Sequence, residues 1–270
     1  MVAFDATYFG DESGAGLFGL LQHTTRSRAS DESVLICYPA PQETMRTYWA
    51  YKHLAHELAS LGIQSLRFDY SGTGDSLGDS QGLSCERWQA DILCAMRYLR
   101  TTTRPAKVTV IASRLGALLA AHALKDTALH RLILWDPIDL GPRYLGELER
   151  THQAMLAVEF GRHVPIRDIA VTDQLVGFPV STSARTQLQS LAWTWPQRAK
   201  SIHIISSSSD GTKGLEAALA AAQPIPTGTQ LSYYSCLDPM LWSDPKALRI
   251  QAFPQYFLRL VQQIMEGSGT

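Results

Sequence analysis

Residues 107–120 read KVTVIASRLGALLA, and two incompatible periodicities meet there without a linker. Lys107–Ile111 is a β-branched apolar run of strand length, the pattern of a buried strand. Leu115–Leu124 is apolar but for Gly116 and His122 and is long enough to be a buried helix. Between them stand Ala112, Ser113, Arg114 and Gly116. Small residues at 112 and 116 let the chain turn sharply from strand into helix, and that turn holds Arg114 at its tip.

Outward from this turn the same strand-then-helix alternation recurs. Upstream lie a hairpin-like pair of runs (Tyr8-Phe9 and Leu17–Leu21), the strand SVLIC at Ser33–Cys37, and a helix over Met45–Leu61 that stops at Gly62. Next come a strand at Ile63–Phe68, the turn SGTGDS and a helix over Glu86–Leu99. Downstream, His130–Trp135 is a strand, and then the alternation stops. Residues 137–196 mix one amphipathic helix, Tyr144–Phe160, with turn-rich stretches. The alternation resumes with Ser201–Ser206 (strand), Lys213–Ala222 (helix), Gln230–Tyr234 (strand) and a last helix, Ala252–Met265. This order predicts an α/β protein with a mainly parallel central sheet and helices on both faces. Residues 1–136 and 197–270 form its core, and 137–196 form a small helical cap inserted after the sixth strand.

Composition narrows the function. The 270 residues carry 24 Lys and Arg against 25 Asp and Glu, which argues against the basic stripe of a nucleic-acid binder. Cys37, Cys85, Cys94 and Cys236 are scattered and form neither a disulfide framework nor a zinc pattern. The first residues lack a basic n-region, and no apolar run reaches membrane-spanning length, so a cytoplasmic protein without membrane contact is expected. No metal or organic cofactor is implied. A homodimer is one option for its assembly.

Three segments carry the chemistry. Leu66–Ser76, LRFDYSGTGDS, places Gly72 and Gly74 in a turn after a strand. As a dinucleotide phosphate loop it fails, because Leu77 holds the third glycine position. It matches instead the D-x-x-G-x-G-x-S turn of the α/β hydrolases. The turn at Arg114 then corresponds to their nucleophile elbow, G-x-nucleophile-x-G, aligned on Gly116 with Arg114 in the nucleophile's place and Ser113 before it. A guanidinium stays protonated and offers no lone pair. Losing the serine of such a triad costs on the order of 10⁶ in turnover, about 8 kcal/mol. The triad's acid is expected after the seventh strand, where Asp210 stands, with Asp136 after the sixth strand as a second candidate. Its histidine is expected after the eighth strand, but YYSCLDPMLWSDPKALRIQAFPQ contains none.

The segments YFG…GLFG, PAPQE, FDYSGTGDS, SRLGALLA, LILWDP and LVGFP together resemble one branch of the α/β hydrolases, the exosortase-system-associated hydrolases and their relatives encoded beside natural-product pathways. Some members carry an arginine elbow, G-x-R-x-G. The resemblance spans nearly the whole chain and implies the α/β-hydrolase fold.

Two readings follow. In the first, the protein is an enzyme acting on an acyl, ester or thioester substrate of a biosynthetic pathway, free or bound to a carrier protein, in thioesterase-like fashion. Arg114, at a helix N-terminus, binds an anion or oxyanion. Glu43, Asp136 or Asp210 is the base, and Ser113 is a nucleophile only if the elbow slips by one residue. Pro39, Ala40, Gln42, Leu115 and His163 line the substrate's seat. In the second, the protein is a degenerate pseudohydrolase serving as a binding or scaffold subunit. Both predict an anionic partner for Arg114, either Glu43, Asp210 or a ligand, because an unpaired buried charge is costly.

Overall fold

The computed structural model describes residues 3–10, 16–27, 29–78, 83–207, 212–222, 224–238, 240–247 and 250–267. Asp210 therefore lies outside the described residues.

Eight strands form one sheet in the order β1-β2-β4-β3-β5-β6-β9-β10. β1 (Phe4–Phe9) and β2 (Leu17–Gln22) are an antiparallel hairpin, and β2 pairs antiparallel with β4 (Gln64–Phe68). β3 (Glu32–Cys37), β5 (Lys107–Ser113), β6 (Leu129–Trp135), β9 (Ala199–Ser206) and β10 (Gln230–Ser235) continue the sheet in parallel. All six residues of β3 are buried, which is why SVLIC is apolar without alternation: helices cover both faces of a parallel sheet.

Chain order reverses between β3 and β5. From β3 the chain runs through α1 (Pro41–Ser60) to β4 on one side, then returns through α2 (Cys85–Thr103) to β5 on the other. The loop after β3 and the turn after β5 thus diverge from neighbouring strand ends, and such a switch point opens a crevice at the carboxyl edge of the sheet. α3 (Arg114–Ala123) follows β5 directly.

Several elements differ from expectation. α1 starts at Pro41 and not near Met45, because proline at the first helical position has a preset φ and no N–H to lose. Glu43 accordingly sits in the first helical turn. The last helix, α8 (Gln255–Glu266), starts after Pro254 and not at Ala252, since a proline restricts the residue before it to extended backbone. Residues 137–196 hold more than one helix: α4 (Gly141–Phe160), the short α5 (Ile166–Ile169), the hairpin β7 (Gln174–Leu175) and β8 (Phe178–Pro179), and α6 (Thr182–Ser190). α7 (Lys213–Ala222) joins β9 to β10.

Candidate functional site

The site is built on two strained turns. Arg114, directly after β5, has φ +50°, and Asp136, directly after β6, has φ +44°. Non-glycine residues pay roughly 1–3 kcal/mol for that left-handed region, so the surrounding packing must hold them there. Gly116 shows how tight it is: a Cβ there would lie 2.0 Å from the Tyr38 carbonyl oxygen. Only glycine lets α3 begin this close to the loop after β3.

The Arg114 side chain is buried, and carboxylates hold it on two sides. Its Nε donates to Glu43 Oε1 at 2.9 Å, and its Nη2 donates to Glu147 Oε1. Glu43 comes from the first turn of α1, Glu147 from α4. Tyr144 and Trp242 cover the guanidinium, with ring centroids 5.7 and 5.3 Å from its central carbon. Each carboxylate has further donors. Tyr144 Oη donates to Glu43 Oε2 at 3.2 Å, and Ser243 Oγ donates to Glu147 Oε1 at 2.5 Å. Gln42 Nε2 donates to Tyr144 Oη at 3.0 Å. A continuous polar chain therefore runs from Gln42 through Tyr144, Glu43, Arg114 and Glu147 to Ser243.

Burial pulls the Arg114 pKa down, but Glu43 and Glu147 outweigh it, and the group ends above its ordinary value. Glu43, almost wholly buried, is pushed up by burial despite Arg114 beside it. Asp136 is pushed up too, by burial first, against hydrogen bonds from Ser207 and Trp242. The Ser207 N–H reaches Asp136 Oδ1 at 2.7 Å, and the Trp242 indole N–H reaches Oδ2 at 2.8 Å. A cavity of about 360 Å³ opens beside this cluster, lined by Arg114, Asp136, Asp139, Arg143 and Glu147 among others. Those are three acids against two bases, and Glu43 behind the wall adds a fourth acid. The field there does not favour an anion.

Ser113 is buried, its hydroxyl hydrogen-bonded to Tyr51 Oη, and it lines neither this cavity nor the larger one nearby. Pro39 and Gln42 line the larger cavity, of about 830 Å³, between α1, the turn 69–75 and the β7–β8 hairpin. Ala40 and Leu115 are buried in the core and line neither. His163 is exposed on the chain after α4 and also lines neither: Gly161, with φ +62°, ends α4 and turns that segment outward. Among the described residues, no group of three His, Cys, Asp or Glu is arranged to hold a metal ion.

Two residues of the cluster escape sequence reasoning. Glu147 shares a helical face with Tyr144 and Thr151, but nothing local says that this face meets Arg114, 33 positions away. Trp242 carries a fainter signal. It is the one aromatic residue between Cys236 and Ala252, where a histidine is expected, and its indole bonds to Asp136.

Sheet order, switch point and strained turn after β5 define the class: this is an α/β-hydrolase-fold protein. More narrowly, residues 44–198 match the hydrolase family described as serine aminopeptidase, S33, and the chain belongs to that family. Solved structures similar over nearly the full length include a hypothetical protein, PA2218, from Pseudomonas aeruginosa (16% identity, TM-score 0.63, covering 98% of this chain and 94% of that one). The Pyrococcus furiosus esterase Pf2001 is similar at 14% identity and TM-score 0.62, with 98% and 91% covered. Est1E from Butyrivibrio proteoclasticus, solved with ferulic acid bound, has 14% identity and TM-score 0.62, with 97% of each chain covered. At these identities the likeness is one of fold. No curated protein matches by sequence.

Proposed function

We propose that the protein is a catalytically degenerate hydrolase that binds a small apolar molecule in the 830 Å³ cavity, with residues 137–196 acting as a cap over it. The observation that carries this reading is the double pairing of Arg114 by Glu43 and Glu147. At the place where the family elbow presents its nucleophile stands a cation already neutralised from within the protein. It has no lone pair for attack and no spare charge to seat a carboxylate or oxyanion. The larger cavity keeps the size of a small-molecule site and a mainly apolar wall, including Tyr70, Leu83, Trp88, Leu148 and Phe178. The test is a fluorophosphonate probe together with a panel of aryl esters and acyl thioesters. No labelling and no turnover above buffer is expected. Stoichiometric labelling of Ser113, or saturable turnover, overturns the reading.

A second reading, an enzyme acting on acyl, ester or thioester substrates of a biosynthetic pathway, is favoured by one observation. Glu147 is partly open to solvent and lines the smaller cavity beside Arg114. There a carboxylate takes a proton from water, the water oxygen bonds to the acyl carbon, and the alcohol or thiol leaves with that proton. Turnover that disappears in Glu147→Gln with the fold intact would establish this reading in place of the first.

A further inference from the structure

The larger cavity has a charge pattern of its own. Among the described residues, no Lys, Arg or His lines it, whereas two carboxylates, Asp69 and Asp75, do. Both belong to the turn after β4, and that turn fixes them. The Asp75 backbone N–H donates to Asp69 Oδ2 at 3.0 Å, and the Asp69 N–H and C=O are tied to Phe18 and Ser76. Gly74, at φ +52°, lies so close that a Cβ there would meet Asp69 Oδ2 at 2.1 Å. The Asp69 carboxylate is thus held in place beside apolar and aromatic surface. Its second oxygen has no hydrogen-bond donor among the described residues. It makes no salt bridge among them either.

Among the described residues Arg67, Lys52 and Arg87 lie nearby, Arg87 against Gly78 of the same turn, and none of them lines the cavity. Arg67 is buried behind the wall, its Nη1 donating to Tyr38 Oη at 3.3 Å. Lys52 stacks on Trp49, 4.6 Å from the ring centroid, without lining the cavity. Two carboxylates face the space, and among the described residues no cation does, so the lining itself is negative. In a site walled by low-dielectric side chains that sign selects among ligands. It disfavours carboxylates and phosphates and favours an ammonium.

Building on the binding reading above, we infer that the ligand is an apolar amine. Its hydrocarbon or aromatic body lies against Tyr70, Leu83, Trp88, Leu148 and Phe178, and its ammonium group donates to Asp69 and Asp75 at the turn after β4. Burial raises the Asp69 pKa, although the Asp75 backbone N–H and Arg67 both act to lower it.

Three probes of one chain length separate the parts of this inference: 1-octylamine, 1-octanol and octanoate, titrated calorimetrically into the full chain at neutral pH. The amine should bind about tenfold more tightly than the alcohol, the scale of one charge-assisted hydrogen bond, and octanoate should bind most weakly. Asp69→Asn should remove the amine's advantage while leaving the alcohol within about twofold. Asp75→Asn, at an exposed position that keeps the backbone donor, should reduce the advantage less. Leu148→Trp, which fills the cavity, should abolish all binding. Octanoate matching the amine, or Asp69→Asn weakening amine and alcohol equally, overturns the charge assignment and leaves the apolar cavity as the site. Failure of all three probes to bind overturns both readings.

Discussion

Two of the Arg–Glu clusters among the described residues lie at opposite ends of the sheet's strands, and they differ in kind. At the amino-terminal end, Arg131 on β6 reaches Glu32 on β3, its Nη1 donating to both carboxylate oxygens at 2.7 and 2.8 Å. Thr109 on β5 lies between them and donates to the same carboxylate. That cluster lies within three adjacent strands, in unstrained backbone, and ties them together. At the carboxyl end, Arg114 has left-handed backbone, and its side chain is shared by α1 and α4 beside a cavity. The chemistry is the same. Strain, a neighbouring cavity and the joining of two helices to a strand end set the second cluster apart from the first, which lies within the sheet alone.

The sharpest way to break that contrast is to remove each arginine. Arg114→Met should cost about 3–5 kcal/mol, because it strands Glu43 and Glu147 together without a counter-charge. Arg131→Met should cost as much by stranding Glu32, so urea midpoints alone will not tell the ends apart. Rescue separates the functional from the structural: Arg114→Met with Glu43→Gln and Glu147→Gln should regain most of the loss, since a buried ion cluster is often replaceable by neutral groups. If the triple variant also keeps ligand binding in the larger cavity, the elbow cluster is a structural tie and not part of the site.

Acid and alkali should probe opposite ends. His203 on β9 is held down to about 4, by burial first and then by Arg131. A base whose folded pKa is depressed lends stability above its ordinary 6.5, and that stability is lost as pH falls toward 4. The full loss is at most about 3 kcal/mol. His203→Gln should flatten this limb, read as urea midpoints at pH 7 and 4.5. Glu43 runs the other way. Its folded pKa is raised, so its contribution is present below the ordinary 4.5 and lost as pH rises through the folded value. Glu43→Gln, whose amide oxygen can still accept from Arg114, should therefore gain on the parent protein as pH rises above 4.5; parallel curves would mean Glu43 titrates normally. The smallest effect is expected of Ser113→Ala, about 1 kcal/mol for the lost bond to Tyr51, with no change in ligand binding.

What was legible in the sequence follows the same division. Arg114 in its turn and the requirement for Gly116 are local facts, fixed by small residues between a strand run and a helix run. A carboxylate near Arg114 was legible from electrostatics, and Glu43 lies on the loop-to-helix segment next to it. Glu147 was not, because which face of α4 meets the elbow is decided by how residues 137–196 dock, and no periodicity encodes that. Nor was the larger cavity, whose walls come from α1, the turn after β4 and the β7–β8 hairpin. Of the three partners expected for Arg114, namely Glu43, Asp210 or a ligand, the structure shows Glu43, and it adds Glu147, which local sequence does not point to.

The polar chain through Arg114 also bears on the order in which the molecule assembles. Its links join residues 71, 33 and 96 positions apart, at Glu43–Arg114, Arg114–Glu147 and Glu147–Ser243. Contacts this distant close only after the intervening segments have docked, so in a half-folded chain these charges remain in water. The cluster is thus a late latch. Its loss should speed unfolding far more than it slows folding, and the native protein's lifetime is set in part at the turn after β5.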